Sequence, residues 1–114
     1  MEPLTDLERN KTFFVLTGDI AGFTKVEPEQ REKLIAALGL LIKSRPHVMN
    51  AQTFRGDSFQ ILFTDSLAAV RCCFQIRCWL KQYPHGGKLV LDARVALGAG
   101  KLDQFFQGFK VTAS

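Results

Sequence analysis

The stretch Thr17–Thr24, TGDIAGFT, decides how the rest of this chain is read. The apolar run Phe13–Leu16 leads into it and a long amphipathic pattern follows, so a strand over Lys11–Gly18 ends on the carboxylate of Asp19. The chain then turns through Gly22 towards a helix start. A carboxylate oxygen beside backbone N–H groups at such a turn offers a cation ligand next to a place for phosphate.

Working outward, Pro28 is a favoured first-turn residue, and Leu34, Ile35, Leu38, Leu41 and Ile42 recur at helical spacing as far as Ser44. Glu27, Glu29 and Glu32 lie at the start of this helix and Lys43 and Arg45 at its end, as the helix dipole prefers. Pro46 stops it. Val48–Phe54 and Ser58–Phe63 read as two strands joined by the turn Arg55-Gly56-Asp57. A second helix starts at Asp65 or Ser66, with Leu67, Val70, Phe74 and Cys78 as the expected buried stripe and Trp79 beside it. His85-Gly86-Gly87 makes a loop, Lys88–Leu97 alternates as a fourth strand, and Gly98 and Gly100 close it.

The resulting order, β-α-β-β-α-β, predicts a ferredoxin-like α+β fold: a four-stranded antiparallel sheet with two helices on one face. In that topology the first and third strands are central neighbours running in opposite directions. Asp19, at the end of one, and Asp57, at the start of the other, are then neighbours in space. Two carboxylates that close favour a shared cation, and Mg²⁺ accepts such a pair while keeping water and phosphate in its other positions. Each aspartate alone is an ordinary turn residue; the pairing makes the metal site the better reading.

At 114 residues the chain is expected to be one domain, 1–114, with 1–10 as an N-terminal arm and 101–114 as the start of an incomplete C-terminal extension. With 46% apolar and 23% charged residues it has a globular balance, and no apolar run reaches the ~20 residues of a membrane span. The N-terminus lacks the order of a secretory signal, so a cytoplasmic location is expected. Cys72, Cys73 and Cys78 all fall in one helix and are expected to be reduced core residues. His47 and His85 are expected at the surface or in loops, and Trp79 and Tyr83 as packing residues. Phe105, Phe106 and Phe109 form an apolar cluster that seeks cover, from a partner subunit if the chain lacks it. The net charge of +4 permits an anionic partner, but the basic residues are dispersed.

TGDIAGFTKV resembles the F-x-D-I-x-G-F-T signature of class III adenylate and guanylate cyclases. FRGDSFQILF resembles their second Gly-Asp hairpin, and DARVALGAG resembles the R-V-G-I-H-T-G strand that follows. The hairpin and its flanks look closer still to the SatD-like bacterial proteins, and more distantly resemble the G-G-D-E-F hairpin of diguanylate cyclases. The resemblance implies that Asp19, Asp57 and the Ile20 carbonyl hold Mg²⁺, or Mn²⁺ in its place. It implies that Ile20, Ala21, Gly22, Phe23 and Thr24 wrap the triphosphate of ATP or GTP, and that Thr53 occupies the base-selecting position. It also implies a signalling role and a homodimer.

Against an active cyclase, Thr53 stands where the family has Lys or Glu, Ser58 replaces the Glu of G-G-D-E-F, and no N-x-x-[SA]-R pattern follows the fourth strand. No catalytic residue is therefore assigned. A non-catalytic regulatory or interaction domain of the same fold is the alternative. RNA recognition ranks third: Arg55, Gly56 and Phe59 fit the third-strand pattern of RNA-recognition domains, while Asp57 and Leu62 replace stacking aromatics.

Overall fold

A computed structural model describes residues 11–54 and 56–101. Their elements are β1 (Thr12–Ala21), a 3₁₀ turn (Phe23–Lys25), α1 (Pro28–Lys43), β2 (Val48–Phe54), β3 (Ser58–Phe63), α2 (Ser66–Gln82) and β4 (Asp92–Lys101). The strands form one sheet in the order β2-β3-β1-β4, with every neighbouring pair antiparallel. The expected ferredoxin-like architecture is the one observed, and β1 and β3 are the central pair. The expected N-terminal arm 1–10, Arg55, and Phe105, Phe106 and Phe109 lie outside the described residues.

The core is a single layer between the sheet and both helices. Leu16 and Ile20 of β1 and Phe59, Ile61 and Phe63 of β3 pack with Leu34, Leu38 and Ile42 of α1 and Ala69, Cys72, Ile76 and Leu80 of α2. Strand residues two apart share a face and helix residues three or four apart share a stripe, so both helices cover the same side of the sheet. Phe13 and Leu62 are also buried but fall outside this cluster, since the strand alternation turns them to the other face.

Helix α1 starts on Pro28 as expected, and its stripe of Leu34, Leu38 and Ile42 is buried with Ile35 and Leu41 half-buried. Asp65 caps α2, its side chain accepting a 2.9 Å hydrogen bond from the Ala68 N–H. The buried stripe of α2 is not the expected one. Ala69, Cys72, Ile76 and Leu80 face the core, while Leu67, Val70 and Phe74 are 53%, 39% and 60% exposed and Cys78 is exposed too. The two stripes have identical spacing and are offset by two residues. Periodicity alone cannot choose between them, and the larger side chains are the ones left outside because small Ala69 and Cys72 let the helix approach the sheet. Only part of the expected set of core thiols is confirmed: Cys72 is buried, which pushes its thiol up to about 11, while Cys73 is partly buried and Cys78 exposed.

Two strand boundaries also move. β1 runs on to Ala21, because residues 19–21 pair with Arg94, Ala93 and Asp92. Thr17 of β1 is exposed. β4 covers Asp92–Lys101 rather than Lys88–Leu97. Its glycines continue the ladder opposite Val15 and Phe13 instead of ending it. His85 lies in a loop, as expected, but is buried there, its Nε2 donating to the Leu89 carbonyl. That contact shapes the irregular segment before β4. Trp79 and Tyr83 pack on each other with ring centroids 4.9 Å apart.

Asp92 at the start of β4 ties the sheet to α2. The Arg77 guanidinium donates two 3.0 Å hydrogen bonds to it, its own neighbour's N–H, Ala93, donates another at 2.8 Å, and Lys81 lies 3.8 Å away. The hydrogen bonds from Arg77 hold the Asp92 carboxyl down to about 2.

Candidate functional site

Asp19 lies in β1 one residue beyond Gly18, paired with Ser58 of β3 on one side and Arg94 of β4 on the other. The ladder extends one step past Ser58, because the Ile20 N–H donates to the Asp57 carbonyl at 2.8 Å. Asp19, Ile20 and Asp57 therefore meet at one corner of the sheet, although they come from distant parts of the sequence. The corner depends on close packing beneath it. A Cβ on Gly18 would stand 2.6 Å from the Phe59 ring and 2.8 Å from the Arg94 carbonyl oxygen, so any side chain there would push β3 and β4 away from β1.

The loop after the corner is held just as closely. Gly22 has φ +86°, a left-handed conformation that glycine adopts without strain, and a side chain there would also meet Leu89 at 2.7 Å. The Lys25 N–H donates to the Gly22 carbonyl at 3.0 Å and the Val26 N–H to that of Phe23 at 3.1 Å. The N–H groups of Phe23 and Thr24 precede the first such bond and are not used within the turn. The Phe23 ring reaches the hairpin turn, since a side chain on Gly56 would begin 3.8 Å from it.

Arg31 of α1 braces the loop from behind. Its Nε donates to the Val26 carbonyl at 2.8 Å, its Nη2 to the Thr24 carbonyl at 2.7 Å, and its guanidinium sits 5.7 Å from the Phe23 ring centre. Sequence reading gave Arg31 no role, because nothing in a polar helical position marks it as a loop anchor.

Arg94 was quoted only as part of a motif, yet it is the residue that pairs with the Asp19 carboxylate. Its Nε and Nη2 donate to the two carboxylate oxygens of Asp19 at 3.0 and 2.8 Å, a two-pronged pair across β1 and β4. The signal that could have found it is the register: pairing Ala21 with Asp92 sets Arg94 beside Asp19. A shallow depression of about 450 Å³ opens here, walled by Thr17, Asp19, Ser58, Arg94 and Ala96 with Gly18, Phe59 and Val95. Asp57 and the loop Gly22–Thr24 are not among its walls, so the depression runs along the sheet away from the loop.

Thr53 of β2 pairs with Phe59, which pairs with Gly18. It therefore stands in the row beside Asp19, two strand spacings or about 10 Å across the sheet. Phe59 itself is 2% exposed and faces the helices, so it cannot stack on a base as the RNA-recognition pattern requires.

Aspartates at two adjoining strand ends are hard oxygen donors of the kind that a divalent cation accepts. Among the described residues no group of three or more His, Cys, Asp and Glu side chains gathers to hold a metal. One of the two carboxylates already carries the Arg94 guanidinium.

No protein-family model and no curated protein sequence matches the chain. Solved structures do match. The active GGEEF domain of a diguanylate cyclase from Vibrio cholerae aligns with a TM-score of 0.67 at 15% identity, over 82% of this chain and 65% of that one. The non-canonical dimeric guanylyl cyclase domain of the RhoGC fusion protein from the aquatic fungus Blastocladiella emersonii gives 0.64 at 16% identity, over 79% and 57%. An EAL/GGDEF domain protein from M. capsulatus gives 0.63 at 19% identity, over 80% and 65%. These likenesses define the fold as a nucleotidyl cyclase-like core. The match spans less than two thirds of each of those three chains.

Proposed function

We propose that this chain is a nucleotide-binding domain that takes a nucleoside triphosphate, ATP or GTP, together with Mg²⁺ or Mn²⁺ at the corner of Asp19, Ile20 and Asp57. The observation that carries this reading is the 2.8 Å hydrogen bond from the Ile20 N–H to the Asp57 carbonyl, which locks the two aspartate-bearing segments side by side. The turn that follows, with Gly22 in its left-handed conformation, supplies N–H groups from Phe23 and Thr24 for phosphate oxygens. A bound divalent cation would neutralise the triphosphate and polarise its phosphorus centres. The chain's own part is to hold that cation between Asp19 and Asp57 and to grip the phosphates with the loop that Arg31 braces.

Binding without cyclisation, in a regulatory domain, is favoured by the Arg94 pair on Asp19 and by Thr53 at the base-selecting position. Cytoplasmic signalling is part of the same proposal. Among the described residues no helix is long and apolar enough to cross a membrane. A homodimer is also proposed, because Leu67, Val70 and Phe74 leave an apolar stripe exposed on α2 and the similar fungal domain is dimeric. Light scattering of the purified chain checks that assignment; a monomer at high micromolar concentration would remove it.

Isothermal titration of ATP and GTP, each with Mg²⁺, against wild type and Asp57→Ala tests the reading. Metal-dependent binding that falls at least tenfold in the variant is expected. Equal binding by the two proteins, or none at millimolar nucleotide, contradicts it. A cyclic-nucleotide assay on the same samples separates a binding domain from an enzyme.

A further inference from the structure

The two halves of the candidate site are held by different means. Asp19 and Ile20 sit in the sheet ladder, paired with Arg94 and Ala93, and the Ile20 N–H is bound to the Asp57 carbonyl. The strand ends at Ala21, so Gly22, Phe23 and Thr24 lie beyond the ladder. Arg31 holds this turn from one side. Leu89 and Leu91 come up against Gly22, where a Cβ would stand 2.7 Å from the first and 3.6 Å from the second. The Gly22 backbone therefore rests on these two side chains.

Leu91 is fully buried and adjoins the first residue of β4, which fixes it. Leu89 lacks that support, because residues 83–91 belong to no helix or strand. Among the described residues, the hydrogen bond from His85 Nε2 to the Leu89 carbonyl is the one that ties this segment to itself. The triplet His85-Gly86-Gly87 makes the clasp possible. Gly86 turns with φ +85°, and a Cβ on Gly87 would lie 2.9 Å from the His85 ring, so only glycines let the imidazole fold back over its own chain. His85 is 6% exposed, and a buried donor that loses its acceptor is costly, so the clasp resists opening. A cleft of about 220 Å³ lies between His85–Gly87 and the residues Lys25, Glu27 and Glu29. The imidazole thus faces the turn across open space, and Leu89 is the link between them.

We propose that His85 is a positioning residue for phosphate binding: its hydrogen bond to the Leu89 carbonyl sets Leu89 under Gly22 and so fixes the aim of the Phe23 and Thr24 N–H groups. The inference rests on the reading of this turn as a phosphate loop, and it adds a residue remote from the ligand that sets the affinity. Because the metal half belongs to the ladder, the clasp acts on the anion and not on the cation. A merely structural His85 would, when replaced, loosen the whole corner and weaken both.

The test reads the preformed Mn²⁺–tripolyphosphate complex by calorimetry and Mn²⁺ alone by its electron paramagnetic resonance signal. The proteins are wild type, His85→Leu, His85→Gln, Leu89→Ala and the double variant of His85→Leu with Leu89→Ala. His85→Leu and Leu89→Ala are each expected to weaken the complex roughly three- to tenfold. Neither is expected to change the affinity for Mn²⁺ alone by more than about twofold. The double variant is expected to match the weaker single variant, because both changes break one chain of contacts. His85→Gln keeps an N–H donor at similar reach and is expected to restore most of the loss. In the ligand-free protein, the Gly22 and Phe23 amide resonances are expected to move in His85→Leu and to return in His85→Gln. Losses shared by metal and complex, single effects that add, no rescue by glutamine, or unmoved Gly22 and Phe23 resonances overturn the proposal while leaving the corner standing. Failure of the wild type to bind the complex overturns the nucleotide corner itself, and this inference with it.

Discussion

Two arginine–aspartate pairs of almost the same geometry bind β4 to its neighbours, and they differ in what surrounds them. Arg77–Asp92 joins α2 to the start of β4 through two 3.0 Å hydrogen bonds, with Lys81 and the Ala93 N–H as further partners of the same carboxylate. Arg94–Asp19 joins β4 to β1 at 3.0 and 2.8 Å, with the guanidinium standing in solvent. The arginine side chains are 40% and 76% exposed. The Arg77 pair is a fixed staple between a helix and the sheet. The Arg94 pair lies on the open side of the sheet at the edge of the candidate site, where a fixed staple would obstruct a ligand. Bond length does not distinguish them; the number of other partners does.

The comparison is broken most forcefully through Gly18, which allows β4 to bring Arg94 to Asp19. Gly18→Ala sets a Cβ against the Phe59 ring and the Arg94 carbonyl, and a loss of about 2 kcal/mol in denaturant unfolding is expected. A change below 0.5 kcal/mol would show that the two strands can separate freely.

The staple comes next. The Asp92 carboxyl is depressed to about 2 from 3.8, so its contribution is complete above pH 4 and disappears as the pH falls through 2. Discounted for its partial exposure, it is worth about 1 kcal/mol at neutral pH. Asp92→Asn should therefore lower stability by about that amount at pH 7 and by almost nothing near pH 2. A pH-independent difference would mean that the charge is not the cause.

Arg94→Gln should change unfolding free energy by less than about 0.5 kcal/mol at pH 7, because the pair is solvated. A loss as large as that of Asp92→Asn would make Arg94 a second staple and erase the contrast. The smallest effect separates two cysteines of α2. A thiol reagent should modify exposed Cys78 within minutes and spare Cys72, whose burial raises its thiol to about 11. Equal rates at the two positions would mean that α2 opens from the sheet.

Much of this was legible in the residues. Proline at Pro28, the acidic residues Glu27, Glu29 and Glu32 around it and the apolar spacing after it define α1, and the turn Gly56-Asp57 between two apolar runs defines the β2–β3 hairpin. The neighbouring positions of Asp19 and Asp57 follow from element order alone, since β-α-β-β-α-β brings the first and third strands together. Three features were not legible, each for a different reason. The buried face of α2 was not, because Leu67-Val70-Phe74 and Ala69-Cys72-Ile76 have the same helical spacing. The position of β4 was not, because Gly98 and Gly100 read as breakers when their strand is viewed alone, yet they sit comfortably opposite the bulky side chains of Val15 and Phe13. The Arg94–Asp19 pair was not, because it depends on a register that spans most of the chain.

The most direct test of the nucleotide corner maps where the ligand acts. Amide resonances of the ¹⁵N-labelled protein, titrated with Mg²⁺ and GTP or ATP together, should shift most at Ile20–Thr24, Asp57 and Arg94, and only slightly at Asp92 and Arg77. Shifts concentrated elsewhere, for example at the groove of Ile35, Gly39, Leu40 and Gln52, or no shifts at millimolar ligand, would contradict the account.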